Sequence, residues 1–377
     1  MLFQTEFPSD LVRIEGALDL EPTGRGLRPR RLPAWTKPQL PDPMMDLMVR
    51  STAGVRLVLR SEATAIELTL HATRAALPFG PAPAALDLLA DGQLLRRVPV
   101  LAGDLLRISS DTEAPELIPG PAETVRFAEL PSGDKDLEIW LPHTAGCDLV
   151  SLGADAAIRP AAESDRPHWV HYGSSISHSL EAEGPTGTLP AVAAAAAGLR
   201  LTGLGFSGNA VLDPFVARSI RDLPADLISL KIGANIVDGA SMRRRTFLPA
   251  VHGFLDTIRE GHPDTPVVVL SPISCPVLED CPGPTMPDPA TGLRRAFGDP
   301  ADTALGALTL SAVRDHLELL VRERARTDKA LSYLDGRLLL GPDETGDLHD
   351  GLHPNATAYR RMGVRFADLL RAGYPAR

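Results

Sequence analysis

Cysteine, blocks of positive charge and long apolar runs are all scarce in this chain, and each shortage closes off a class of protein. Three cysteines in 377 residues are too few for a disulfide framework to stand in for a core. Cys275 and Cys281 are near enough in a proline-rich loop to form a small disulfide, or they stand as free thiols, and Cys147 falls in an apolar strand pattern. No spacing resembles a zinc site. Lys and Arg number 38 against 48 Asp and Glu, a formal charge of −10, with the two signs interspersed. Nucleic-acid binders gather their cations on one face, so no nucleic-acid partner is expected. The short Arg243-Arg244-Arg245 run reads as the solvated start of a helix. No stretch of about 18 apolar residues is free of charge. The first residues, Met1 to Glu6, lack a basic segment followed by an apolar one. The expectation is a chain without a membrane partner, cytoplasmic or already stripped of a leader, and no feature specifies an oligomeric state.

What is present is ordinary for a folded protein: 44% hydrophobic and 23% charged residues, close to the globular averages. At about 100–200 residues per domain the length predicts two domains. From 55 to 158 the pattern has the period of half-buried strands. Val55, Leu57 and Leu59 alternate with Arg56, Val58 and Arg60, and Ile66, Leu68 and Leu70 alternate with Glu67, Thr69 and His71. Asp91-Gly92 between two apolar runs is a hairpin signal. Further strand-like runs at 124–130, 137–141 and 148–152 complete the prediction of an all-β sandwich, jelly-roll-like, over 1–160. The first fifty residues read as an extended lead-in.

After a linker around 160–167 the period changes. Apolar runs at 168–172, 201–204, 227–232, 267–270 and 330–334 alternate with helical stretches at 189–197, 247–259, 303–326 and 357–371. That alternation predicts an α/β domain over 167–377, a three-layer, doubly wound, mainly parallel sheet. The proline-rich stretch 272–289 reads as an irregular surface excursion. In such a sheet the chemistry belongs at the carboxyl ends of the strands.

Four segments stand at those ends or just before the last helix. Tyr172-Gly173-Ser174-Ser175 puts a serine directly after a strand and a glycine, where its hydroxyl can meet a base, although serine in such a loop is more commonly a turn or cap residue. Asp350-Gly351-Leu352-His353 lets one short loop supply a base and the carboxylate that orients it, against the plainer reading of a turn former and a surface histidine. Gly208, in Phe206-Ser207-Gly208-Asn209, can bring a backbone N–H close because it has no side chain. Asn235, after Gly233-Ala234, can offer its amide to an oxyanion. Each is weak alone, and their joint occurrence carries the argument.

Taken in order, these segments resemble the four blocks of the SGNH (GDSL-type) hydrolase family over roughly 167–370. Gly173 to Ser177 matches the Gly-Asp-Ser block, Gly208 the glycine block, Gly233-Ala234-Asn235-Ile236 the Gly-x-Asn-Asp block, and Asp350 to His353 the Asp-x-x-His block. Ser174 stands where the family has Asp, and Ile236 replaces the Asp that follows the block's Asn. The family register favours Ser175 over Ser174 as nucleophile. The resemblance implies an SGNH, flavodoxin-like fold and a serine esterase in which Ser175 attacks, His353 is the base and Asp350 orients it. The Ser175 N–H, the Gly208 N–H and the Asn235 amide would form the oxyanion hole. It implies no metal and no organic cofactor. A β-sandwich ahead of such a domain resembles bacterial two-domain esterases, including carbohydrate deacetylases. The expected substrate is therefore a small-molecule or carbohydrate ester, with short acyl groups on a sugar or polyol. Trp140, Leu141 and Trp35 are candidates for a sugar-facing surface, against the plainer reading as core. The rival functions are an acyltransferase with the same triad and a non-catalytic carbohydrate-binding protein of the same fold.

Overall fold

Asp91 and Gly92 both take left-handed backbone angles, φ 47° and 79°, as a type I′ turn between twisted strands requires. They join Ala85–Ala90 to Gln93–Pro99. The computed structural model describes residues 3–77, 80–107 and 115–373. Met1 and Leu2, where the reading of the N-terminus begins, lie outside the described residues. The chain divides into two compact units, Met1–Asp165 with Gly184–Thr186, and Arg166–Glu183 with Gly187–Arg377. Among the described residues no helix is long and apolar enough to cross a membrane.

The first unit is built from two sheets. One runs, in hydrogen-bonded order, Glu116–Ile118, Asp104–Arg107, Ile66–Leu77, Ala145–Ala154, Gly26–Arg30 and Asp19–Thr23. The other runs Ile158–Arg159, Arg56–Ser61, Lys135–Trp140, Ala85–Ala90 and Gln93–Pro99. Pairing is antiparallel except where Asp104–Arg107 lies parallel to Ile66–Leu77. Leu57 and Leu59 from the second sheet share one core with Leu68, Leu70, Leu149 and Leu152 from the first.

Two expectations need correcting here. The outer face of Arg56–Ser61 is not open to water: Arg56 and Val58 are buried, and Arg13–Glu15 pairs along an edge of the strand. Arg56 bonds Glu15 at 2.5 Å and lies 5.0 Å from the centroid of the Trp140 ring. Nor are the first fifty residues an extended lead-in: they form strands in both sheets and the helix Pro43–Arg50, whose N-cap Asp42 accepts from Met45 N at 2.8 Å. Trp140 and Leu141 are buried, as core residues are, while Trp35 is 40% exposed.

The second unit carries a five-stranded, wholly parallel sheet. In chain order its strands are β1 (His168–Gly173), β2 (Arg200–Gly205), β3 (Leu227–Lys231), β4 (Val267–Leu270) and β5 (Leu331–Leu334), arranged β2-β1-β3-β4-β5. Every residue of β1 and β4 is buried, as strands covered on both faces require. The helices are α1 (Ser175–His178), α2 (Leu189–Ala197), α3 (Pro214–Arg221), α4 (Ala234–Asp238), α5 (Arg244–Gly261), α6 (Leu310–Arg324) and α7 (Ala356–Arg371). The expected helix over 303–326 is broken. A 3-10 turn, Pro300–Leu305, stops at Gly306 with φ 89°, and α6 starts afresh behind Thr309, whose side chain accepts from Ala312 N. The excursion at 272–289 is not wholly irregular, since Thr285–Pro287 pairs with Arg294–Ala296. The three cysteines are free thiols.

Candidate active site

β1 ends at Gly173, paired with Gly205 of β2, and α1 starts two residues later. The chain can turn that sharply because Gly205 has no side chain: a Cβ there would lie 2.5 Å from His178 N and 2.6 Å from Ser177 C. Ser175 is thereby the first residue of α1 and stays nearly buried, 6% exposed. Ser174 is the N-cap, 1% exposed, and its hydroxyl makes no cap bond and has no partner among the described residues.

The loop before α7 is closed by a bridge between Leu348 and Pro354 and by His349 N donating to His353 O at 3.0 Å. Within it Asp350 Oδ1 accepts from Leu352 N at 2.9 Å and His353 N at 2.7 Å, while Oδ2 accepts a hydrogen bond from His353 Nδ1 at 2.8 Å. The other ring nitrogen, Nε2, lies 3.0 Å from Ser175 Oγ. The structure thus brings Ser175, His353 and Asp350 into one hydrogen-bonded chain, although Ser175 stands 178 residues from His353.

Charge follows this geometry. Burial alone would raise the Asp350 carboxyl, but the His353 ring, its charge and the two backbone N–H groups hold it well below the usual carboxylate range. For His353 burial favours the neutral ring. The Asp350 hydrogen bond, the charge of Glu181 and the charge of Asp350 outweigh burial against the opposition of Arg294, and its pKa is raised from 6.5. A base poised in this way can accept a proton from serine near neutral pH.

Gly208 and Asn235 come from different blocks but are tied together, because Asn235 Oδ1 accepts from Ala210 N at 3.1 Å. Asn235 lies in the first turn of α4 and is 6% exposed. That bond leaves its Nδ2 as a donor of the kind an oxyanion needs. Gly208 turns with φ 74°, and a Cβ there would meet nothing within 4 Å, so its surroundings are open. Ile236, where the family has an acidic residue, is fully buried.

Sequence reading missed the polar groups behind these residues. His171, wholly buried, bridges Ser229 Oγ at 2.7 Å and Ser177 Oγ at 2.8 Å, and Trp169 Nε1 donates to the same Ser229. Burial and the charge of Lys231 pull His171 down to about 3, so it is a neutral bridge and not a second base. The one signal for it was a histidine inside an otherwise apolar run. Glu181 and Arg294 lie near the triad without any motif to announce them. Cys275 Sγ donates to Gly351 O at 3.2 Å, which ties the loop of Asp350 and His353 to the segment after β4. Among the described residues no group of His, Cys, Asp and Glu side chains could hold a metal ion.

Comparison with known proteins bears on this arrangement. Residues 171–361 match the model of the GDSL-like Lipase/Acylhydrolase family, and no curated protein matches the chain. Among solved structures, a salicylyl-acyltransferase from a tetracycline biosynthetic pathway is 29% identical, with a TM-score of 0.80, covering 100% of this chain and 99% of its own. A candidate GDSL-like lipase from Bacteroides ovatus is 19% identical, with a TM-score of 0.69 and coverage of 100% and 96%. An acetyl xylan esterase from Butyrivibrio proteoclasticus is 10% identical, with a TM-score of 0.58 and coverage of 100% and 99%.

Proposed function

This chain belongs to the GDSL-like lipase/acylhydrolase family and is a serine hydrolase of carboxylic ester bonds; from that premise we propose that it cleaves short acyl groups from a carbohydrate or polyol through an acyl-enzyme. The observation that carries this reading is the continuous chain from Ser175 Oγ to His353 Nε2, 3.0 Å, and from His353 Nδ1 to Asp350 Oδ2, 2.8 Å. Ser175 attacks the ester carbonyl as its proton passes to His353 Nε2. The imidazolium so formed is held by Asp350. The carbonyl oxygen becomes an oxyanion, for which the Ser175 N–H, the Gly208 N–H and the Asn235 amide are the donors. His353 then returns its proton to the leaving alcohol. In the second half, water gives a proton to His353, attacks the acyl-enzyme and frees the acid, and Ser175 recovers its proton. No step calls on a metal or an organic cofactor.

The choice of short acyl groups is tested with nitrophenyl esters from acetate to decanoate. We expect kcat/KM to be greatest for acetate and to fall with chain length. A maximum at octanoate or decanoate would overturn that choice while leaving the serine mechanism intact. A second reading, transfer of the acyl group to an alcohol in place of water, is favoured by the 29% identity to an acyltransferase. It predicts that a polyol added to the acetate assay yields an acetylated polyol in preference to acetate.

A further inference from the structure

Nucleophile and base reach the site on separate elements, α1 and the loop before α7, and two consecutive residues of α7 tie them together. Tyr359 Oη donates to Glu181 Oε2 at 2.8 Å, and Arg360 Nη2 pairs with Glu183 at 2.6 Å. Both carboxylates lie in the segment that leaves α1. The two ties are unequal. Arg360 and Glu183 are each 54% exposed, and an ion pair in that much water adds little. Tyr359 is wholly buried, its phenol is kept protonated by burial and by Glu181, and losing its partner would leave a buried hydroxyl unsatisfied.

The charges around His353 give the buried tie a second consequence. From its own loop the imidazole faces Asp350 and His349, whose ring centroid is 6.2 Å away and whose Nδ1 bonds His353 O at 2.9 Å. From the hairpin strand Arg294–Ala296 it faces Arg294, which lies 3.8 Å from Asp350 Oδ2. From the segment after α1 it feels the charge of Glu181, whose carboxylate accepts from the neutral Tyr359 of α7. Arg294 opposes the imidazolium, but by less than either carboxylate favours it, and Glu181 adds to the negative charge that the imidazolium of the transition state neutralises.

With Ser175, His353 and Asp350 read as the triad, we propose that Glu181, fixed by Tyr359, is a positioning residue for the base: it locks the segment carrying the nucleophile to α7 and supplies the imidazolium with a second negative charge. Glu181 forms no part of the triad hydrogen bonds and touches no reacting atom. It acts through His353.

The test is an NMR titration of the His353 ring in the full chain, its signal picked out from ten histidines by comparison with His353→Gln. Glu181→Gln keeps an acceptor for Tyr359 and removes only the charge, so the His353 pKa should fall by about 0.5 or more. The acid limb of kcat/KM should move the same way. Tyr359→Phe leaves the charge but frees it to move, and should produce a smaller fall. A purely structural role would lower the melting temperature and leave both the titration and the acid limb in place. A folded Glu181→Gln protein with an unmoved His353 titration would overturn the assignment, and if that variant does not fold, an unmoved titration in Tyr359→Phe would do so. The titration does not depend on turnover. An active Ser175→Ala variant would therefore sink the triad reading, whereas an unmoved titration beside an inactive Ser175→Ala would sink only the role of Glu181.

Discussion

Asn235 offers an acceptor and a donor, and the acceptor is engaged by Ala210 N at 3.1 Å. If the amide Nδ2 serves the oxyanion, it binds the transition state better than the ground state, so its loss falls on kcat with KM little changed. We expect Asn235→Ala to cost about 10²–10³ in kcat, together with about 1 kcal/mol of stability for the lost Ala210 bond. Asn235→Asp keeps the acceptor but sets a carboxylate where the oxyanion forms, so it should lose more kcat than Asn235→Ala. Near-native kcat in Asn235→Ala, with a melting temperature many degrees lower, would make Asn235 a turn residue. Lys231 makes a different test at the end of β3. It is wholly buried, its ammonium has no hydrogen-bond partner among the described residues, and burial, with help from Arg314, pulls it from 10.5 to about 8. The unfolded chain keeps that lysine charged up to its ordinary value, so stability falls as pH drops from 10.5 to about 8, and the penalty is complete below that. The penalty below pH 8 is about 3 kcal/mol. Lys231→Met should therefore stabilise the protein in urea melts at pH 7, with a gain that shrinks by pH 10. An equal effect at both pH values would show that charge is not the issue. The residues legible in the sequence were those whose partners are local or fall in a recognised block: Asp350 and His353, three apart, and Ser175 after a strand and a glycine. Lys231 and Glu181 owe their character to neighbours far along the chain, as does the bond of His171 to Ser229, and no spacing reports those.

At the scale of elements, the turn from β1 into α1 depends on Gly205. An added methyl would meet backbone atoms of Ser177 and His178 at 2.5–2.8 Å, and backbone cannot swing aside as a flexible side chain can. Gly205→Ala should force α1 outward at a cost of about 1–3 kcal/mol. Because misplacing a nucleophile by about 1 Å costs on the order of 10²-fold, kcat/KM should fall by at least that factor even at temperatures where the variant is fully folded. A folded Gly205→Ala enzyme with native kcat/KM would contradict this account of the turn. The five strands of this sheet were legible because continuous apolar runs of four to six residues have few other uses. The break between Pro300–Leu305 and α6 was written in Gly306 and in the cap Thr309, but the apolar period runs across it and hides it. α3 begins at Pro214 behind Asp213, a start signal that stood in the sequence unread. The strands of the first fifty residues gave no such signal: they are short, two contain proline, and Phe3–Glu6 and Arg13–Glu15 pair with strands far along the chain.

Taken whole, the molecule joins a two-sheet β unit to an α/β unit, and the family match over 171–361 falls in the second of these apart from Gly184–Thr186. The two layouts were legible because their hydrophobic periods differ. Substrate was not, because one fold supports many esters and the acyl and alcohol pockets are shaped by loops. What the hydrolase and acyltransferase readings share is a single activated serine, and an organophosphate reports it whatever the natural ester is. Labelling the native protein with a fluorophosphonate and sequencing the modified peptide by mass spectrometry should place the adduct on Ser175 alone, with labelling lost in Ser175→Ala and retained in Ser174→Ala. An adduct on Ser174, or undiminished labelling of Ser175→Ala, would contradict the account.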